Sequence, residues 1–226
     1  MHRNGDRRSR SPLSFRNAAA RECGGHREAL MDQSNLLADD KTEALRTAGA
    51  TQSDPYAPIP AGRFVLRPLR ASDAGLIRHY TADRRVAEGT RAIPHPLPPG
   101  AAEQYVARAM APNRTEDVWA IDTSASGLGE LLGVVSLTRI EPEQSELGFW
   151  IGSGFWNTGF ATEAVQALVK ANPHNSRTLF AEAFQDNPGS AKVLTNAGFA
   201  YLGDAESWSV ARDARVPTWT YLRKMT

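Results

Sequence analysis

Residues 146–184 constrain the fold more than any other part of the chain. They read as a strand-like run (146–151), a turn rich in glycine and small residues (GFWNTGFATEA, 154–164), a helix-like run (161–170) and a second strand (178–184). Strand, helix and strand in that order form a crossover, so the two strands lie parallel in one sheet with the helix on a face. A glycine turn at a helix start presents several N–H groups without intrahelical partners, and the helix macrodipole adds partial positive charge there. Such a turn is built to meet an anion.

The remaining pattern surrounds this crossover. Phe64, Leu66 and Leu69 mark a strand, and Asp73 is placed to cap a helix with apolar Leu76, Ile77 and Tyr80. PHPLPPG (94–100) interrupts the chain before a helix predicted over 101–110. Residues 118–122 and 131–140 read as antiparallel strands around the loop TSASGLGE, and the polar turn EPEQ leads into the strand at Glu146. Asn172-Pro173 ends the crossover helix. In DNPGSAKVLTNAGF, Asn187 suits a helix N-cap, Pro188 the first helical position and Gly198 the left-handed stop. Final strands near 201–210 and 217–223 flank the loop ARDARV. The expected domain, 61–226, is of mixed α/β class: a mostly antiparallel sheet flanked by helices, with a parallel strand pair in its second half.

Residues 1–60 lack sustained periodicity and are expected to be a disordered extension ending in a Pro-rich linker, TQSDPYAPIPAG (51–62), with a short helix conceivable over 35–47. The Arg-, Ser- and Ala-rich start superficially resembles a transit peptide, and Met31 offers an alternative translation start. Residues 1–30 hold seven Arg against three acids, and 31–60 two bases against five acids, which leaves seventeen charges of each sign from residue 61 onward. A balanced domain argues against a nucleic-acid partner, which needs a basic face. The single cysteine, Cys23, excludes an intramolecular disulfide and a Cys-based metal cage, and the five histidines show no metal-ligand spacing, so no metal is expected. The cytoplasm is the default compartment, and no apolar run approaches the roughly 18 residues of a membrane span.

The segment ELGFWIGSGFWNTGFATEAV, followed about 20 residues later by QDNPGSAKVLTNAGF, resembles the GNAT N-acetyltransferases, and most closely their RimJ/RimL-type branch. That branch has an aromatic strand, a Trp-Gly-(Arg/Lys)-Gly-(aromatic)-Ala-Thr-Glu-Ala turn, and an Asn-x-x-Ser helix ending in Gly-Phe. LRPLRASDA and ELLGVVSL fit the same pattern, so the likeness spans about 62–226. Two positions depart from it: Asn157 stands where the branch commonly has Gly, and Thr158 where it has Arg or Lys. Asn tolerates left-handed geometry, so the turn can form, but a cation beside the anion is lost.

The resemblance implies a GNAT-like fold and acetyl-CoA as co-substrate, its pyrophosphate held at the turn by Trp156, Asn157, Thr158, Gly159, Phe160, Ala161 and Thr162. It implies direct attack of a primary amine on the thioester, with an oxyanion donor among the backbone groups of Trp150 and Ile151. Glu146 is the candidate general base acting through water, or else a solvated strand-start carboxylate. Ser190 is the candidate hydroxyl for the leaving thiolate, or else a second capping group, and Asn187 touches the pantetheine arm besides capping its helix. Trp208, Arg212, Arg215 and Trp219, with 94–100, border the acceptor pocket, unless they simply pack a hairpin. The expected partner is a protein N-terminal α-amine or a small amine, without membrane or nucleic acid, the chain being a monomer or homodimer. A noncatalytic acyl-CoA sensor and transfer of a longer acyl group are the alternatives.

Overall fold

A computed structural model describes residues 56–225. The disordered extension, short helix and alternative start expected for the N-terminal region fall outside the described residues, save for 56–60. Tyr56 donates to the Val118 carbonyl at 2.7 Å and sets its ring 5.3 Å from that of Trp119. Ile59–Pro60 then forms an edge strand, β1, beside β2 (Val65–Pro68). From Tyr56 on, the Pro-rich run therefore belongs to the folded body. An aromatic ring that buries against a core tryptophan outweighs the loop character of its proline neighbours.

The sheet continues with β3 (Glu116–Asp122), β4 (Gly133–Glu141), β5 (Gln144–Ile151), β6 (Thr178–Phe184), β7 (Ala200–Ser209) and β8 (Ala214–Lys224). Its spatial order is β1-β2-β3-β4-β5-β6-β8-β7, and every neighbouring pair is antiparallel except β5–β6. The expected mixed, mostly antiparallel sheet with one parallel pair is the fold. The last loop is tighter than expected: β8 starts at Ala214, and Asp213 takes the left-handed φ of 48° that a short turn needs.

Helices cover both faces. α4 (Phe160–Ala171) and α5 (Pro188–Asn196) pack over Leu147, Ile151, Leu179 and Ala181 on one side. α1 (Ala74–Thr81) and α3 (Ala101–Met110) cover Val118, Ala120 and Val134 on the other. A five-residue helix between them, α2 (Arg84–Glu88), was not expected. It is too short to show a period, and is set by Asp83, whose carboxylate accepts from the Arg85 N–H at 3.0 Å.

Asp73 departs from its expected role, because its side chain makes no cap to α1. Its two oxygens instead receive the Arg67 guanidinium at 2.8 Å each, while Arg67 Nε donates to Asp122 at 2.6 Å and Nη2 to the Glu130 carbonyl. Asp73 also accepts from the Arg70 N–H at 2.7 Å. Arg67 and Asp73 are almost wholly buried, and a buried carboxylate is most stable where a planar fork can meet both oxygens. The expected cap of α5 is present, with Asn187 accepting from the Ser190 N–H at 3.1 Å and Gly198 at φ +79°.

Candidate active site

The parallel pairing that joins the halves of the sheet is short. β5 and β6 are in register only over Gln144–Glu146 and Thr178–Phe180, although β5 runs on to Ile151 and β6 to Phe184. Beyond that point the two strands diverge and leave a wedge-shaped gap. The Gly152 N–H donates to the Leu132 carbonyl on the β4 side. Alternation along the strand then turns the Trp150 N–H toward β4 and the Phe149 and Ile151 N–H groups into the gap. Backbone donors left facing a gap are available to a ligand.

A cavity of about 700 Å³ passes through this gap. On the α1–α3 side it is lined by Glu146, Gly148, Trp150 and Glu182, and on the α4–α5 side by Leu147 and Ser190. The pleat explains the division, since Glu146, Gly148 and Trp150 share one face of β5. Trp150 is thereby a wall of the cavity rather than a donor of N–H. The segment after α2 forms the roof, with Arg91, Ile93, Pro94 and Leu97 turned toward the space. The Ser190 hydroxyl has no hydrogen-bond partner among the described residues, whereas its N–H is taken by Asn187.

Glu146 is half-buried, and Arg91 Nη2 is hydrogen-bonded to its Oε1. The other guanidinium nitrogen, Arg91 Nη1, donates to Glu182 Oε2 at 3.1 Å, and Ser207 Oγ donates to the same oxygen at 2.6 Å. Burial pushes the Glu146 carboxyl above its ordinary value, and the nearby Glu182 charge adds to this while Arg91 opposes it. Neither Arg91 nor Glu182 was singled out in the sequence. Arg91 lies in an aperiodic loop that gives no signal. Glu182 was detectable as the one charge in the strand TLFAEAF, on the same face as Phe180 and Phe184.

The glycine turn follows the open end of β5 through a single 3₁₀ turn, Ser153–Phe155. Asn157 adopts φ 61° and Gly159 φ 85°, so Asn157 does accept the left-handed geometry. The first bond of α4 closes from the Glu163 N–H to the Gly159 carbonyl at 3.1 Å, so the N–H groups of 157–162 precede the helical ladder. Trp156 Nε1 donates to the Ile151 carbonyl at 2.9 Å, tying the turn to the strand end, and Thr158 Oγ1 donates to the Phe155 carbonyl at 2.5 Å. Phe160 is buried against Phe64, with ring centroids 5.8 Å apart. The turn lies outside the cavity lining and opens to solvent.

A cation also stands at this turn, though not at position 158. Arg63 donates through Nη2 to the Thr158 carbonyl at 3.3 Å and through Nε to Glu163 at 2.7 Å, and its Cζ lies 4.1 Å from the Phe160 ring centre. Glu163 thus links the glycine turn to the turn between β1 and β2.

The hairpin residues reach the cavity indirectly. None of Trp208, Arg212, Arg215 and Trp219 lines it. Arg212 donates to the Glu88 carbonyl from Nε (3.0 Å) and Nη2 (2.7 Å), and Val210 N–H donates to the Arg91 carbonyl at 2.9 Å. The hairpin therefore fixes the backbone of 88–91, which carries the roof, while Trp208 is exposed. Among the described residues no group of three His, Cys, Asp or Glu side chains could hold a metal ion. No helix among them is long and apolar enough to cross a membrane.

A sheet opened by a diverging parallel pair, with a glycine turn at the end of one strand and a cavity through the gap that carries a carboxylate and a hydroxyl, is the architecture of an acyltransferase. The sequence matches the acetyltransferase (GNAT) domain over residues 63–200, and the chain belongs to that family, whose acyl donor is acetyl-CoA. Among solved structures it is similar to RimL, a ribosomal-protein α-N-acetyltransferase solved with coenzyme A (18% identity, 74% of this chain and 98% of that one, TM-score 0.64). A GNAT-family acetyltransferase from Bacillus anthracis is similar at 19% identity (74% and 98%, TM-score 0.63). So is the self-immunity acetyltransferase MccE, solved with acetyl-CoA and AMP, at 15% (75% and 99%, TM-score 0.63). No curated protein sequence matches the chain.

Proposed function

We propose that this chain is an acetyl-CoA-dependent N-acetyltransferase that moves an acetyl group directly to a primary amine, either a protein N-terminal α-amine or a small amine, in the cytoplasm. The observation that carries this reading is the cavity that crosses the sheet between β5 and β6, with a carboxylate on one face and a free hydroxyl on the other. Acetyl-CoA would supply an activated thioester: the amine nitrogen bonds to the acetyl carbon, the C–S bond breaks, and the thiolate takes a proton.

The chain's own groups fit those needs. The N–H groups of Asn157, Thr158, Gly159, Phe160, Ala161 and Thr162 hold the pyrophosphate, with Trp156 bracing the turn and Arg63 restoring the missing cation. The Ile151 N–H, turned into the gap, donates to the thioester oxygen as charge develops there. Glu146 accepts the proton of the incoming ammonium through water, and its raised pKa makes it the stronger base. Ser190 donates to the departing sulfur. Asn187 holds Ser190 in place by capping α5 and borders the arm of the cofactor.

The energetics favour weakly basic acceptors. At pH 7 an α-amine of pKa about 7.8 costs only about 1.1 kcal/mol to deprotonate, whereas a lysine near 10.4 costs about 4.6 kcal/mol. A single base working through water suits the first.

The test is thiol release from acetyl-CoA against peptide N-termini, free amino acids and aminoglycoside-like amines. Release is expected with at least one α-amine class, and Glu146→Gln should lower turnover by about 10²-fold or more with cofactor affinity kept. The acidic limb of the pH–rate profile, which reports ionisation of Glu146 above the ordinary carboxylate range, should vanish in that variant. Cofactor binding without thiol release from any amine would instead make the chain a sensor, and faster turnover of succinyl-CoA would make it a transferase of longer acyl groups.

A further inference from the structure

The carboxylates of Glu146 and Glu182 line the same side of the cavity, one on each strand that flanks the gap, and are bridged by one side chain, Arg91. The Arg91 backbone is pinned to the hairpin by Val210, and its side chain is half-exposed and, among the described residues, held only by the two carboxylates. The two carboxylates are fixed by comparison. Glu146 is on the paired part of β5, and Glu182 is held by Ser207. A second polar group opens on the same space. Thr218 is wholly buried, lines the cavity, and leaves its hydroxyl without a hydrogen-bond partner. It pairs with Phe184 across β6–β8, which puts it on the sheet face that carries Glu182.

We propose that the carboxylate pair Glu146–Glu182 is the binding site for the acceptor's ammonium group, and that Arg91 is a resident cation which the acceptor must displace. The inference rests on the N-acetyltransferase reading but adds to it the charge of the substrate and a second recognition residue. Two half-buried carboxylates require a cation between them, and the guanidinium supplies it while the site waits. An incoming –NH₃⁺ offers three donors in place of Arg91, one to Glu182, one to the water that links it to Glu146, and one for an acceptor such as the Thr218 hydroxyl, which satisfies that buried group as well. The ammonium brings the same charge as Arg91, so Glu146 stays ionised while the acceptor binds; once the proton is passed on, the amine is neutral and no longer opposes protonation of Glu146 as a resident Arg91 would. Glu182 keeps its bond from Ser207 and holds the amine.

Binding of alaninamide, an α-amine lacking a carboxylate, tests this without acetyl-CoA, read by titration calorimetry on the whole chain. Arg91→Gln should bind alaninamide about tenfold more tightly than the natural protein, and Glu182→Gln about tenfold more weakly. N-acetylalaninamide, which has no charge, should bind neither. In steady state Arg91→Gln should lower the KM for an amine acceptor, and Glu182→Gln should raise it with kcat within a fewfold. Arg91→Ala repeats the first arm should the glutamine settle on Glu146. The proposal is overturned if alaninamide binds neither Arg91 variant, if Glu182→Gln binds it as tightly as the natural protein, or if Arg91→Gln loses affinity. Loss of affinity for alanine with gain for alaninamide is consistent with it; loss for both would make Arg91 an anchor for an anionic part of the acceptor. These titrations stand even if no thiol is ever released, so failure of the transferase reading and failure of the ammonium site are seen separately.

Discussion

At the scale of single residues, Gly159 joins geometry to chemistry. Its φ of 85° lies in the left-handed region, where an L side chain costs roughly 1 kcal/mol. A Cβ there would stand 3.5 Å from Arg63 Nη2, so the space itself is open. Gly159→Asp is therefore tolerated sterically, and its effect is electrostatic. The carboxylate would capture Arg63 and set a negative charge among the N–H groups proposed to hold the pyrophosphate. Coenzyme A affinity is expected to fall by about 10²-fold or more, with far-ultraviolet circular dichroism unchanged. Gly159→Ala carries the same backbone strain without the charge and separates the two causes. An Asp variant that bound coenzyme A like the natural protein would move the phosphate site away from this turn. Asn157 and Thr158 are the two positions where the turn departs from the motif. Asn157 adopts a left-handed φ of 61°, and a cation reaches the Thr158 carbonyl from Arg63, 95 residues earlier in the chain and paired with Glu163. No local reading of the motif could have found that residue, because the strand β1–β2 turn that delivers it is placed by the sheet.

At the scale of elements, the loop between α4 and β6 shows how a connection with no secondary structure is held. His174 Nδ1 is 2.8 Å from Ser145 Oγ, which is 2.9 Å from Ser176 Oγ, and His174 Nε2 is 2.9 Å from Asp117 Oδ2. Arg114 closes the chain on the other oxygen of Asp117. These side chains fasten the loop to β3 and β5, next to the parallel contact of β5 with β6. Burial raises the pKa of Asp117, but hydrogen bonds from His174 and Arg114 outweigh it and hold the carboxyl below its usual range. A depressed carboxylate contributes stability above its unfolded pKa of about 3.9, and that contribution is lost as pH falls through the lower folded value. His174→Ala should therefore cost about 2–3 kcal/mol at pH 7, from the lost bonds to Ser145, which keeps Ser176, and to Asp117. In urea unfolding, the gap between variant and natural protein should narrow as the pH drops below about 4. A gap that stayed constant down to pH 2 would mean that the network acts through packing alone. The sequence offered five histidines without metal spacing, and His174 turns out to be a polar strut, a role set by partners 29 and 57 residues away.

At the scale of the whole molecule, what was legible followed from local rules. The helices 101–110 and 188–196, the strand 178–184 and the crossover each carried their own caps, breakers and alternation, and each is present. What was not legible depends on tertiary meeting points: the five-residue α2, the buried Arg67 fork, and the Arg91 bridge between two strands. The divergence of β5 from β6 belongs to this second class. Nothing in ELGFWI or TLFAEAF says that pairing stops after three residues, since it is α4 and α5 beneath and the roof segment above that leave the gap open. The gap makes a prediction for the molecule as a whole. Amides of Phe149 and Ile151 face it without a strand partner, and those of 157–162 precede the ladder of α4, so all of them should exchange with solvent faster than their neighbours. Coenzyme A, bound along the gap and over the turn, should slow both groups together by about tenfold or more, while β3 peptides, paired on both edges, should not change. Hydrogen–deuterium exchange with mass spectrometry reads this directly. Protection of the turn with the β5 amides left exposed would mean that the nucleotide end binds while the thioester end lies elsewhere. Protection confined to the β7–β8 hairpin would remove the cofactor from the gap altogether.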